Sequence, residues 1–369
     1  MSANNAGKSN TLYKSITVKI GSNVLTRPDR QLDLERIAHL TDQIATLHKK
    51  GIKIVLVSSG AVASGRGMVS NPPKKDPVSE RQLLSSVGQI KLVSTYATLF
   101  EAHGITCAQV LVTKEDFRTR EHYLNMKNCL TVLLEHNIVP IINENDAVSV
   151  TALMFTDNDE LAGLVATMLN TEAYFILSNV DGIYTGNPGD PGVQLIEEIS
   201  GTTTDLSAFI TAKKSNFGRG GMLTKGRVAQ NTAAAGIAVH IANGTQQNIL
   251  VDLAYQKTSV AHTRFVPGTP RPAVKKWMAC SADFTSWEVH INKGARAALY
   301  SKKATSLLLA GVTDMKGDFK KGDLLRIVDH DKRLIGIGKA QYDRQKADEH
   351  LKDPKYKPLV HYDYLYLFP

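Results

Sequence analysis

The sequence predicts an α/β protein in two parts: a three-layer αβα sandwich on a mostly parallel sheet, then a small C-terminal β-barrel. Three observations carry this prediction. Over the first two-thirds, short β-branched runs alternate with longer amphipathic stretches, the pattern of crossover units. The stretch Phe265-Val-Pro-Gly-Thr-Pro-Arg-Pro272 then sets three prolines and a glycine where no regular element continues. Beyond it the apolar runs are short and broken by turn residues such as Lys321-Gly-Asp323, as in small barrels.

In chain order, strands are predicted at 16–20, 54–57, 138–142, 174–177 and 238–241, each nearly all apolar, as strands covered on both faces should be. Helices fill the gaps. The clearest spans 33–50, where Leu34, Ile37, Leu40, Ile44 and Leu47 recur at helical spacing, Lys49 and Lys50 suit the negative end, and Gly51 stops it. An alanine-rich helix follows Lys225 and ends near Gly236. After the break, strands are predicted at 288–291, 306–309, 324–328 and 334–337, with a helix at 295–303 and an alternating last strand at 362–368. The division is therefore a first domain over 1–265, a linker over 266–275 and a barrel over 276–369.

Composition narrows the function classes. With 369 residues, 43% hydrophobic and 21% charged, the chain is globular, and no apolar run is long enough to suggest a membrane span or a signal peptide. A cytoplasmic location without membrane attachment is expected. Cys107, Cys129 and Cys280 are too few and too far apart for a disulfide framework or a cysteine zinc site, and the histidines form no HExxH. Any metal should arrive with a phosphate substrate. The net charge of +9, with 17 Lys and Arg against 12 Asp and Glu from Lys276 onward, permits a polyanionic partner such as RNA or a phosphate-bearing ligand.

The usual nucleotide fingerprints are missing: there is no GxxxxGK[ST] and no GxGxxG after a strand. Phosphate must be held otherwise. In Thr17-Val-Lys-Ile-Gly-Ser-Asn-Val-Leu25, Lys19 lies inside an apolar strand, where it either snorkels to the strand end or meets an anion with the following turn. Val57-Ser-Ser-Gly-Ala61 turns away at the carboxyl end of the next strand, the edge at which open α/β sheets bind ligands. Asn143-Glu-Asn-Asp146 follows a third strand, and Asp157-Asn-Asp159 opens a helix, as caps or as groups that orient lysines, Mg2+ and a substrate amine. Gly218-Arg-Gly-Gly-Met-Leu-Thr-Lys225 offers glycine amides and a helix N-terminus to phosphates, with a flexible linker as the plainer reading. Two lysines and two acidic loops at one sheet edge are the parts phosphoryl transfer needs.

Taken together, TVKIGSNVL, VSSGAVASGRG, IVPIINENDAV, the TDND around Asp157 and GGMLTK resemble the amino acid kinase family, over nearly the whole chain. Gly317-Asp-Phe-Lys-Lys-Gly-Asp323 and Ile335-Gly-Ile-Gly338 resemble the PUA domain that many members acting on glutamate carry. The resemblance implies transfer of the γ-phosphoryl group of ATP, with Mg2+, to the side-chain carboxylate of L-glutamate, the first step toward proline. A carboxylate is already anionic, so no histidine base is required. By the same resemblance Lys19 and Lys225 hold the phosphates, Asp157 keeps the lysines in place, and Asp159 helps hold Mg2+. Ser59, Gly60, Ala61, Asn143, Asp146 and Asn158 fall where the family binds glutamate, Asp146 toward its ammonium group. Nucleotide contacts fall on Lys19, Gly21, Ser178, Asn179, Arg219, Gly220, Gly221, Met222, Leu223, Thr224 and Lys225.

Two positions depart from the family pattern. Asn179 stands where an Asp is expected, in a Val-Asp-Gly-Ile-Tyr184 context similar to uridylate and aspartate kinases, and Arg219 replaces a Thr, either as a phosphate contact or facing solvent. The family further implies a homo-oligomer, dimer or tetramer, with proline as feedback inhibitor and glutamyl phosphate reductase as the consumer of product. Rival readings are an aspartate or acetylglutamate kinase, and an RNA-binding protein acting through its PUA-like part.

Overall fold

A computed structural model describes residues 13–368 apart from 71–75, 119, 150–156, 189, 201–205, 207–220, 258, 270–276, 279–284, 286, 302–304, 352 and 354–355. The chain forms two compact units, one from positions 1–114 and 125–270 and the other from 115–124 and 271–369.

The first unit is an eight-stranded sheet of β1 (Ser15–Ile20), β2 (Lys53–Ser58), β3 (Cys107–Val112), β4 (Val139–Glu144), β5 (Ala173–Ser178), β6 (Glu198–Ile199), β7 (Ala238–Asn243) and β8 (His262–Phe265). Their order is β3-β4-β2-β1-β5-β7-β8-β6, parallel except where β7 meets β8. Side-chain alternation along β1 divides the unit into two faces. Ile16, Val18 and Ile20 join a fully apolar cluster with Ile37, Leu40 and Ile44 of α2 (Leu34–Lys49), following the short α1 (Ser22–Leu25). Thr17 and Lys19 point the other way, Thr17 to Thr171 at 3.2 Å and Lys19 to Asp159. The same strand thus carries a core face and a chemical face.

The expected helix at 33–50 is α2: the Asp33 carboxylate accepts from the Arg36 amide, and Gly51 takes the left-handed conformation that ends it. After β2 comes α3 (Ala61–Arg66), then α4 (Pro77–Glu101), capped by Asp76 with Pro77 in its first turn. These two helices touch backbone to backbone: a Cβ on Gly65 would overlap the Leu84 carbonyl, and one on Gly88 the Ala61 carbonyl. Next are α5 (Glu115–Arg118), α6 (Arg120–Glu135), α7 (Asn158–Leu169), α8 (Met222–Ala234) and α9 (Ile249–Ala254). β3, β6 and β8, which the apolar pattern does not reveal, extend the sheet at both ends; β3 is only half-buried and carries Gln109.

The second unit is a five-stranded mixed sheet of β9 (Trp287–Ile291), β10 (Val312–Lys316), β11 (Leu324–Val328), β12 (Leu334–Ala340) and β13 (Val360–Leu367), in the order β10-β9-β11-β12-β13. Its own core includes Val289, Leu325, Ile327, Phe319 and Val360. The strand expected at 306–309 is not one: Leu307 makes a single bridge to Val360, and Leu309–Gly311 is a 3-10 turn. The strand lies just beyond, where Val312-Thr-Asp-Met-Lys316 exposes its polar residues. Positions 266–269 of the expected linker are described, and 270–275 lie outside the described residues. Among the described residues no helix is long and apolar enough to cross a membrane.

Candidate active site

Adjacent strands β4, β2, β1 and β5 end together at the carboxyl edge of the sheet. Register sets Ile20 beside both Ser58 and Leu177, and Val57 beside Ile142, so the loops starting at Gly21, Ser59, Asn145 and Asn179 emerge side by side, with Asn143 at the end of β4. α7 crosses under this edge with Asp157 as its cap. The Asp157 Oδ1 accepts from the amides of Asp159 and Glu160 at 2.9 and 3.2 Å, which fixes the first turn.

That turn aims Asp159 at two lysines. Its carboxylate is fully buried; Oδ1 lies 2.5 Å from the Lys19 ammonium, and Oδ2 pairs with the Lys225 ammonium. Lys225 comes from the first turn of α8, whose cap is Gly221 and whose Met222, Leu223 and Thr224 are partly exposed beside it. Burial alone would raise the Asp159 carboxyl, but the two ammonium groups outweigh it and hold the group well below the usual carboxylate range. Asp157 goes the other way: burial, then the neighbouring Asp159 charge, pushes it up to about 6. Burial pushes Lys19 down, only partly opposed by Asp159, whereas in Lys225 burial is outweighed by Asp159 and Asp157 and the ammonium is held up. One ionised carboxylate thus binds two cations in a buried setting where water screens little.

Among the described residues the direct ion pairs to the two lysines are made by Asp159, while Asp157 acts on both through its charge and caps the helix. The Asp157 Oδ2 is buried and, among the described residues, has no hydrogen-bond partner. A hard, orphaned carboxylate oxygen suits Mg2+, which is commonly held by one or two carboxylates plus substrate phosphates.

A polar network adjoins the lysines. The Asn158 amide donates to Ser59 Oγ at 3.1 Å and to Asn143 Oδ1 at 2.9 Å, joining three of the expected acceptor residues. Gly60, at φ 112°, takes a conformation costly for any side chain, and lets the chain turn from β2 into Ala61 at the start of α3. Asp146, also buried, is ion-paired with Arg81 of α4, which reaches Glu144 at 3.2 Å as well. Arg81 is the residue that motif reading misses, since it lies in no glycine-rich or acidic string.

The nucleotide residues are less closely gathered. Gly21 is buried, its amide donating to the Leu177 carbonyl at 3.2 Å, and a Cβ there would come within 3.4 Å of the Lys19 ammonium. Ser178 is buried at the end of β5, while Asn179 is exposed. Asp181 behind them accepts from Gln246 at 2.7 Å and Asn243 at 3.2 Å, tying the loops after β5 and β7. Arg219 and Gly220 lie outside the described residues.

A buried lysine-aspartate-lysine centre at the carboxyl edge of a parallel sheet, without a fixed nucleophile, is the equipment of a phosphoryl transferase. Residues 14–243 match the amino acid kinase family and residues 287–353 the PUA domain. The chain belongs to the amino acid kinase family. It is 52% identical to a glutamate 5-kinase of Bacteroides thetaiotaomicron over 96% of its length and 99% of the relative's. It is 48% identical to the glutamate 5-kinase of Chlorobaculum tepidum (97% and 98%) and 35% identical to that of Vibrio vulnificus (95% and 93%).

Proposed function

We propose that this chain is a glutamate 5-kinase: it transfers the γ-phosphoryl group of ATP to the γ-carboxylate of L-glutamate. The observation that carries the reading is the buried Lys19–Asp159–Lys225 centre beside the Ser59–Asn143–Asn158 network, in a chain with full-length glutamate 5-kinase relatives.

In this reading the γ-carboxylate of glutamate attacks the γ-phosphorus in line, and the bond to the bridging oxygen of ADP breaks. No proton is moved, so the chain supplies positioning and charge. Lys19 and Lys225 neutralise the oxygens of the transferring group, and Asp159 holds both ammonium groups in place before substrate arrives, so little reorganisation is needed. The amide at Gly221 and the start of α8 receive the phosphate chain, and the lack of a side chain at Gly21 keeps space beside the Lys19 ammonium. Asn158, Asn143 and Ser59 orient the acceptor, and Asp146 takes its ammonium group. Mg2+, held through Asp157, would neutralise phosphate charge. Proline as feedback inhibitor, a homo-oligomeric state, a reductase consuming the labile acyl phosphate and a cytoplasmic location complete the proposal.

The test traps the acyl phosphate with hydroxylamine, in parallel with L-glutamate, L-aspartate, N-acetyl-L-glutamate and no acceptor. Hydroxamate with glutamate alone is expected; a larger yield with either other acceptor overturns the substrate assignment.

A further inference from the structure

We infer that Arg81 of α4 is a positioning residue of the acceptor site, keeping Asp146 correctly placed to receive the substrate ammonium. The inference rests on the proposed role of Asp146. Glu144, the last residue of β4, and Asp146, in the loop after it, stand two residues apart, their side chains only 3% and 8% exposed. Two carboxylates so dry need cationic or hydrogen-bonding partners beside them. Arg81 touches both, lying 3.2 Å from Glu144 Oε2 and paired with Asp146 Oδ1, and its planar fork can serve two carboxylates at once.

The same helix grips the loop at two further points. Gln82 Nε2 donates to the Ala147 carbonyl at 2.9 Å, and Asn143 Nδ2 donates to Gln89 Oε1 at 2.9 Å. At the Gly65–Gly88 crossing α4 also abuts α3, which begins at the Gly60–Ala61 turn. One helix therefore locates both acceptor loops, and Arg81 is the charged member of that grip. Removing its charge takes a cation away from two buried carboxylates, and Asp146 is then no longer held where the glutamate ammonium group needs it.

The experiment measures steady-state kinetics and melting temperature for Arg81→Gln, Arg81→Lys, Asp146→Asn and the pair Arg81→Gln/Glu144→Gln. Arg81→Gln should raise KM for glutamate about tenfold or more, about the loss of one charged contact, leaving KM for ATP within about twofold. Arg81→Lys should recover most of the affinity. The double variant removes one of the two carboxylates together with the cation and should recover part of it, and it remains informative if the single variant fails to fold. An unchanged KM for glutamate in Arg81→Gln, a parallel rise in both KM values, or a double variant no better than the single overturns the inference. If Asp146→Asn leaves the glutamate KM unchanged, the reading of Asp146 fails and the inference falls with it. If Asp146→Asn raises that KM while Arg81→Gln does not, only the inference fails.

Discussion

At the lysine end of the site, side chains from β1, α7 and α8 meet through charge, around one carboxylate that no water reaches. At the acceptor end, Ser59, Asn143 and Asn158 meet through neutral hydrogen bonds, beside the charged contacts of Arg81 to Glu144 and Asp146. The first arrangement is strong and intolerant: removing one member leaves a buried charge uncompensated, at about 3–5 kcal/mol. The second divides its work among groups worth about 1 kcal/mol each. Chemistry is thus concentrated at one end and recognition distributed at the other.

The sharpest way to break the comparison is Lys225→Ala. Its side chain is 15% exposed, so the fold should survive, while kcat falls by about a thousandfold or more, roughly 4 kcal/mol of transition-state stabilisation. Circular dichroism and a hydroxamate assay check both halves, and retained activity would remove Lys225 from the transfer step. Asp146→Asn should act on the other end, raising KM for glutamate about tenfold with kcat and the ATP requirement little altered. A fall in kcat alone would mean the two ends are not separable.

The two aspartates of α7 sharpen the comparison through pH. Asp157 holds its proton more tightly folded than unfolded, so its stabilising contribution is complete below its unfolded value of 3.8 and is lost as pH rises through about 6. Asp159 has the opposite sign, contributing above 3.8 and losing that contribution as acid protonates it. Asp157→Asn keeps a good helix cap, so in protein free of metal and nucleotide it should melt several degrees higher at neutral pH and show a flatter decline through that window. It should also be nearly inactive with Mg-ATP. Calorimetry across pH that finds no stabilisation would show the Asp157 carboxylate to be well solvated. The smallest effect is expected for Asn179→Asp: the side chain is exposed, and KM for ATP should change by about twofold or less.

Much of this site was legible because its residues sit in strings with unusual local chemistry. Lys19 interrupts an apolar strand, Asp157 and Asp159 open a helix, and Lys225 follows a glycine pair. What was not legible depends on tertiary placement. Which aspartate faces the lysines is decided by one turn of α7. Arg81 lies in a helix whose stripe is hard to read: Ser85 and Gly88 are buried on it, while Leu83 and Ile90 are exposed. The edge strand β3 and the strand Val312–Lys316 escaped for a related reason, since a half-covered strand carries polar residues that dilute the apolar signal. The positions of Arg219 and Gly220 lie outside the described residues.

The sheet order also bears on how the protein is made. β1 is synthesised first among the strands, yet it sits in the middle of the sheet, between β2 and β5. On the ribosome its second edge stays open until the chain has been extended as far as Ala173–Ser178, and Asp159 meets its second lysine only once Lys225 has emerged. Parallel pairings this remote close slowly. A nascent chain therefore carries a hydrophobic strand with one open edge through nearly half of its synthesis, and a chaperone that shields residues 15–20 should raise the yield of active enzyme more than one acting on the completed chain.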